Sequence, residues 1–196
     1  MQVDQHIIRF AAIHPQAWKN GAGTTREIAR EGECDAWQWR ISIADVVAEA
    51  PFSSFPGVDR ILVLLEGEGI ALTFEDGQRM DVLPPFGSAR FAGEAALVGT
   101  PVSGATRDFN LMWQRSQVSA SLEVRPLVGS MVVFKAAEET WMVHVLEGTM
   151  RLPDSEEDLS RGDTLTLRGN ARTKVRLEGA GTALLIRLRP LDESAS

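Results

Sequence analysis

The chain has 196 residues, a formal net charge of −7 and a pI near 5.0, with 44% hydrophobic, 7% aromatic and 24% charged residues. These values fit a folded chain with a sizeable core rather than a disordered one, and the acidic balance argues against a nucleic-acid binder or a partner for an anionic membrane. No run nears the roughly 20 apolar residues of a membrane helix, residues 1–6 lack the character of a signal peptide, and Cys34 as the only cysteine excludes an intrachain disulfide, so the cytoplasm is the expected location.

Short strands dominate the chain. Trp37-Gln38-Trp39-Arg40-Ile41-Ser42-Ile43 alternates, with Arg40 and Ser42 on one face and Trp39, Ile41 and Ile43 on the other. Residues 43–50 are the one helical candidate, ended by Pro51. Runs 60–66 and 69–75 meet at Glu66-Gly67-Glu68-Gly69, and Asp76-Gly77 is a hairpin signal before 79–83. Residues 107–115 follow, with Asp108 and Asn110 sharing a face opposite Phe109 and Leu111. The last runs are 131–136, 140–147, 163–167, 173–178 and 182–188. Strands at this spacing predict an all-β sandwich, jelly roll or barrel.

A faint repeat divides the chain. Leu65-Glu66-Gly67 recurs as Leu146-Glu147-Gly148, and Asp81-Val82-Leu83 has an echo in Asp163-Thr164-Leu165. The small polar segment 116–121 is the natural boundary, giving halves 1–117 and 118–196.

Apolar strand, Leu-Glu-Gly-x-Gly, strand, turn and strand, then Pro-x-Gly, resembles the cupin superfamily of small jelly rolls. The resemblance implies a bicupin, two barrels in one chain, and points to the places where cupins carry metal ligands. Those places are Ser54, Pro56, Arg60 and Arg90 in the first half and Lys135, Ala137, Trp141 and Arg172 in the second. None is a good metal ligand, and the three histidines, His6, His14 and His144, lie at no ligand spacing. No metal and no other cofactor is expected. The acidic run Asp154-Ser155-Glu156-Glu157-Asp158 reads as a solvated loop rather than a calcium loop, and His144, inside an apolar run, as a core or rim histidine. Arg60 would point into the first barrel, where its partner is either internal (Asp59, Asp108 or Glu27) or the carboxylate of a ligand.

Four segments together are similar to the HutD/Ves family of bacterial bicupins. They are Trp18-Lys19-Asn20-Gly21-Ala22-Gly23-Thr24-Thr25-Arg26-Glu27-Ile28, Trp39-Arg40-Ile41-Ser42-Ile43-Ala44, Pro51-Phe52-Ser53-Ser54-Phe55-Pro56-Gly57-Val58-Asp59-Arg60 and Arg107-Asp108-Phe109-Asn110-Leu111-Met112. One departure is Ala22, where family members often carry a third glycine. The resemblance implies an accessory or regulatory role in histidine utilisation, with N-formylglutamate or urocanate as ligand, or a stress-response role in the Ves branch.

The residues alone leave three functions open. A binding protein would hold a small anionic metabolite in the first barrel. Its candidate ligand-binding residues are Lys19, Asn20, Arg26, Arg40, Ser42, Ser54, Phe55, Arg60, Asp108 and Asn110, with Phe52 as a second aromatic wall. A metal-independent isomerase or hydrolase would use Asp108, Glu27 or His14 for proton transfer, but no nucleophile–base pair stands at a telling spacing. A scaffold would form a homodimer through edge strands.

Overall fold

The computed structural model describes residues 4–33, 36–155 and 157–191; Cys34 and Glu156 lie outside them. The strands are β1 (Asp4–Ile8), β2 (Gln16–Ala17), β3 (Gly23–Glu33), β4 (Ala36–Val46), β5 (Ala50–Pro51), β6 (Val58–Glu66), β7 (Ile70–Phe74) and β8 (Arg79–Val82). After them come β9 (Ser88–Ala92), β10 (Leu97–Pro101), β11 (Thr106–Gln114), β12 (Val118–Lys135), β13 (Thr140–Leu152), β14 (Glu157–Ser160), β15 (Thr164–Arg168) and β16 (Thr173–Pro190). All pairings are antiparallel. A single 3₁₀ turn, Phe10–Ala12, is the one helical element among the described residues, so no helix there is long and apolar enough to cross a membrane. The expected helix over 43–50 is absent. Ile43 and Val46 carry the alternation of β4 onward, and Ala50 re-enters a sheet through β5. β-Branched residues fit the pleated strand better than a helix.

Contacts divide the chain into two units. Ile13–Gln117 is a two-sheet unit, with strand order β2-β3-β4-β11-β6-β9 in one sheet and β5-β10-β7-β8 in the other. Its core joins Leu62, Leu64, Ile70, Leu72, Val82, Phe91 and Leu97 from both sheets, with Phe52 packed against them. Inward-facing residues of each strand supply that core, as the period of two requires.

The other unit joins the chain up to Ala12 with Val118 onward. The opening residues belong here because β1 lies along β15, with Asp4 opposite Arg168 and Ile8 opposite Thr164. Arg9 Nη1 adds a bond of 2.8 Å to Asp163 Oδ2. The sheet order is β1-β15-β13-β16-β12, with β14 on β13. Two strands of 18 residues, β12 and β16, pair over their whole length. They run unbroken through a seam of glycines, Gly129 opposite Gly179 and Gly148 opposite Gly181, all at positive φ. A Cβ on Gly148 would run into the Ala180 carbonyl oxygen, so the close approach of backbones there demands glycine. Glu147-Gly148, expected to end a strand as Glu66-Gly67 does, instead lies inside β13, just past a bulge between Val145 and Glu147.

Candidate functional site

The register of the six-stranded sheet stacks residues in rungs on its inner face. Arg40, Met112 and Arg60 form one rung across β4, β11 and β6; Ser42, Asn110 and Leu62 form the next; Ala44, Asp108 and Leu64 form the third, extended by Thr25 on β3. A bulge between Arg107 and Asp108 sets the direction of the last rung. Toward one end these rungs line a cavity of about 460 Å³, within the usual range for a small-molecule site.

Lys19, Asn20, Arg40, Ser42, Phe55, Arg60, Asp108 and Asn110 all border this cavity. Two sequence candidates do not. Arg26 pairs with Ile43, on the opposite face from Ser42 and Ala44, and its guanidinium meets Asp45 Oδ2 at 2.5 Å. Arg107 Nε reaches the same carboxylate at 2.6 Å. Strand parity alone therefore carries Arg26 away from the cavity. Ser54 is exposed and outside the lining; its neighbour Ser53 lines the cavity instead. Sequence reasoning missed Trp18, Thr25, Ala44 and Met112. Met112 carried a readable signal, standing two residues beyond Asn110 on the same face. Trp18 is pinned by its Nε1–H, which donates to Thr25 Oγ1 at 2.7 Å.

Arg60 is 6% exposed. Its guanidinium carbon lies 4.9 Å from the ring centre of Phe52, 5.1 Å from Phe91 and 5.9 Å from Phe55, and ring faces at such distances attract a cation. Phe52 can occupy its place because residue 99 is glycine: a Cβ there would run into the Phe52 ring. Arg60 Nη2 donates to Asn110 Oδ1 at 3.1 Å, and buried Nε has no hydrogen-bond partner. Burial, then the nearby Arg40 charge, pulls the Arg60 pKa down to about 10, which leaves it cationic at neutral pH.

The internal partners weighed for Arg60 are engaged elsewhere. Asp59 takes Arg90 Nη2 at 3.0 Å and Arg115 Nε at 2.8 Å. Glu27 takes Arg40 Nε at 2.8 Å and Arg30 at 3.3 Å. Asp108 Oδ2 accepts from Thr106 Oγ1 at 3.1 Å, while its Oδ1 is buried without a partner. Among the described residues no carboxylate stands within ion-pair range of Arg60. Burial is also the main reason that Asp108 is pushed up to about 7; the Thr106 bond opposes the rise and the Asp45 charge adds to it. His14 is exposed and outside the cavity lining.

The site does not fit the metal that cupin barrels hold. A guanidinium occupies the cavity where an imidazole or carboxylate would have to stand, and among the described residues no three His, Cys, Asp or Glu gather to hold an ion. Arg90, at another of those places, is exposed over the Trp113 ring. In the second unit Lys135 is buried and donates to three backbone carbonyls, Trp141 Nε1 donates to Glu139, and Ala137 and Arg172 are exposed. His144 is a core residue, with Nδ1 2.9 Å from Thr164 Oγ1, and burial draws it down to about 4.

The HutD family model matches residues 11–185. The chain belongs to the HutD family. It is 43% identical over 119 residues to an uncharacterised 21.2 kDa protein in the hutC 3′ region of Pseudomonas putida, covering 60% of this chain and 62% of that one. It is 35% identical over 111 residues to protein Ves of Citrobacter koseri, covering 55% and 56%. The matches thus span about 60% of the length of these relatives. HutD from Pseudomonas fluorescens SBW25, solved in a formate condition, superposes with a TM-score of 0.84 at 28% identity, over 96% of this chain and all of that one. The cupin-like fold extends to a nickel(II) complex of the pirin YhhW from Escherichia coli, with a TM-score of 0.69 at 12% identity over 96% of this chain and all of that one.

Proposed function

We propose that this HutD-family chain is a metal-free binding protein for a small carboxylate, held in the cavity of the Ile13–Gln117 unit. The observation that carries the reading is Arg60: a buried guanidinium under three aromatic rings, its Nε–H without a hydrogen-bond partner and, among the described residues, no carboxylate beside it. A buried cation of this kind is costly unless an anion joins it. A ligand carboxylate would supply that anion, with each charge-assisted bond contributing about 2 kcal/mol. Lys19 at the rim and Arg40 deeper in add positive potential. The formate condition of the Pseudomonas fluorescens structure is consistent with a carboxylate site. Within histidine utilisation, N-formylglutamate or urocanate would then act as a signal read by an accessory or regulatory protein of the cytoplasm.

Thermal-shift measurements with N-formylglutamate, urocanate, glutamate and formate test this. At least one should raise the melting temperature at millimolar concentration, and Arg60→Met should abolish the shift. A flat response of the wild type to every carboxylate would overturn the reading.

A further inference from the structure

β12 is the end strand of its sheet: β16 lies along one side, and among the described residues no strand lies along the other. Its pairing with β16 runs without a shift from Val118 to Lys135, so parity fixes what each residue offers. Pro126 has no N–H, and a proline is held inside a strand pair where the missing donor points away from the ladder. Residues of the same parity therefore turn their N–H and C=O groups to the free side: Val128, Ser130, Val132 and Phe134.

Their side chains also share one face. Val128 is 89% exposed, Phe134 70% and Val132 42%. From Leu127 to Phe134 the sequence carries no charge. Edge strands of natural proteins are blunted by charges, by proline or by a covering element. Here Pro126 blunts one end, and the apolar stretch beyond it stays open to pairing.

We propose that this edge of β12 is the interface with a second copy of the chain, the two strands pairing antiparallel about a two-fold axis at Met131. A strand that pairs with its own copy covers both edges at once and closes the assembly. Pro126 selects the register. With the axis at Met131, Val128 stands opposite Phe134 of the second copy and Ser130 opposite Val132. Every free backbone group from 128 to 134 is then used, and the proline falls outside the paired stretch. An axis at Gly129 would instead set Pro126 against Val132 and leave a carbonyl without its donor. Val128 against Phe134 is a β-branched and aromatic cross-strand pair, a favourable kind. Charge agrees with this register. On β16, Glu178 lies beside Ser130 and Arg176 beside Val132. The axis puts Glu178 of one copy on the same rung as Arg176 of the other, so opposite signs face each other across the apolar stripe.

Sedimentation equilibrium of the full chain from about 1 to about 300 µM tests this. The wild type should approach twice the 21.4 kDa of one chain. Val132→Pro takes away an N–H on the free side and no ladder bond to β16; Phe134→Glu puts a charge into the stripe. Each should weaken self-association tenfold or more while keeping the circular dichroism of the wild type. A wild type that stays at the mass of one chain throughout overturns the proposal, and so does a dimer that both variants leave intact. Should neither variant fold, Met131→Cys in a Cys34→Ser background decides. At the axis the two copies of position 131 stand roughly 4.5 Å apart at Cα, within disulfide reach. Oxidation should then yield a disulfide-linked dimer, and its absence overturns the proposal.

Discussion

Lys135 and Arg60 are both cations taken out of water, one in each unit, and their surroundings differ. Lys135 is 2% exposed, and its ammonium donates to the carbonyl oxygens of Ala136, Gly169 and Ala171. Nearby Glu139, equally buried, accepts from Ala136 N at 3.2 Å, Trp141 Nε1 at 3.0 Å and Arg187 Nε at 2.9 Å. Arg60 has one hydrogen bond, to Asn110, and three rings. The backbone accounts for the contrast. In the second unit long strands pass through the glycine seam without breaking. The first breaks into shorter strands joined by loops, and one loop places Phe52, Ser53 and Phe55 over the sheet. Complete internal pairing marks a buried charge as structural; incomplete pairing beside a cavity marks one awaiting a partner.

The sharpest way to break that comparison is to neutralise both cations. Lys135→Met should destabilise the protein by roughly 2–4 kcal/mol, because it strands three carbonyls. Arg60→Met should be neutral or stabilising without ligand, by up to about 4 kcal/mol, because it removes an unpaired buried charge. Urea unfolding of both variants measures this; equal losses would erase the distinction.

Acid–base behaviour should separate the units next. Asp108 has a folded pKa of about 7, above the 3.8 of an ordinary aspartate. Its contribution is intact below pH 3.8 and is lost as pH rises towards 7. His144 has a folded pKa of about 4 against an ordinary 6.5. Its contribution is intact above pH 6.5 and is lost as pH falls towards 4. Between those limits the two slopes oppose, each about 1.4 kcal/mol per pH unit. Relative to wild type, Asp108→Asn should therefore gain stability from pH 4.5 to 6.5, and His144→Gln should lose it, by about 3 kcal/mol in each case. Denaturation at the two pH values is the measurement, and parallel profiles for all three proteins would contradict it.

A smaller effect should come from the support under the aromatic roof. Gly99→Ala should cost about 1–3 kcal/mol through overpacking against Phe52 and weaken carboxylate binding several-fold. An unchanged affinity would mean that Phe52 does not shape the arginine end.

Much of this was legible in the sequence because alternation is a local signal. Trp39 to Ile43 and Asp108 to Leu111 declared their faces, and with them Arg40, Ser42, Asp108 and Asn110. Arg26 was misplaced because its face depends on its pairing with Ile43 and on the bulge between Glu27 and Ala29, which neighbouring residues do not reveal. β9, Ser88–Ala92, has no β-branched residue, and the short β10, Leu97–Pro101, is interrupted by Gly99 and closed by Pro101, which read as turn signals. β1 found its partner about 160 residues away, in β15. The dependence of Phe52 on Gly99, and of Arg60 on Phe91, is likewise long-range and visible only in three dimensions.

The stacked register also acts as a graduated scale. Side chains on one face recur every two residues, so ligand length can change only in steps of roughly 7 Å, and a shift of one position would turn a group to the other side. Thr106, two places before Asp108 and opposite Val46, is the next graduation.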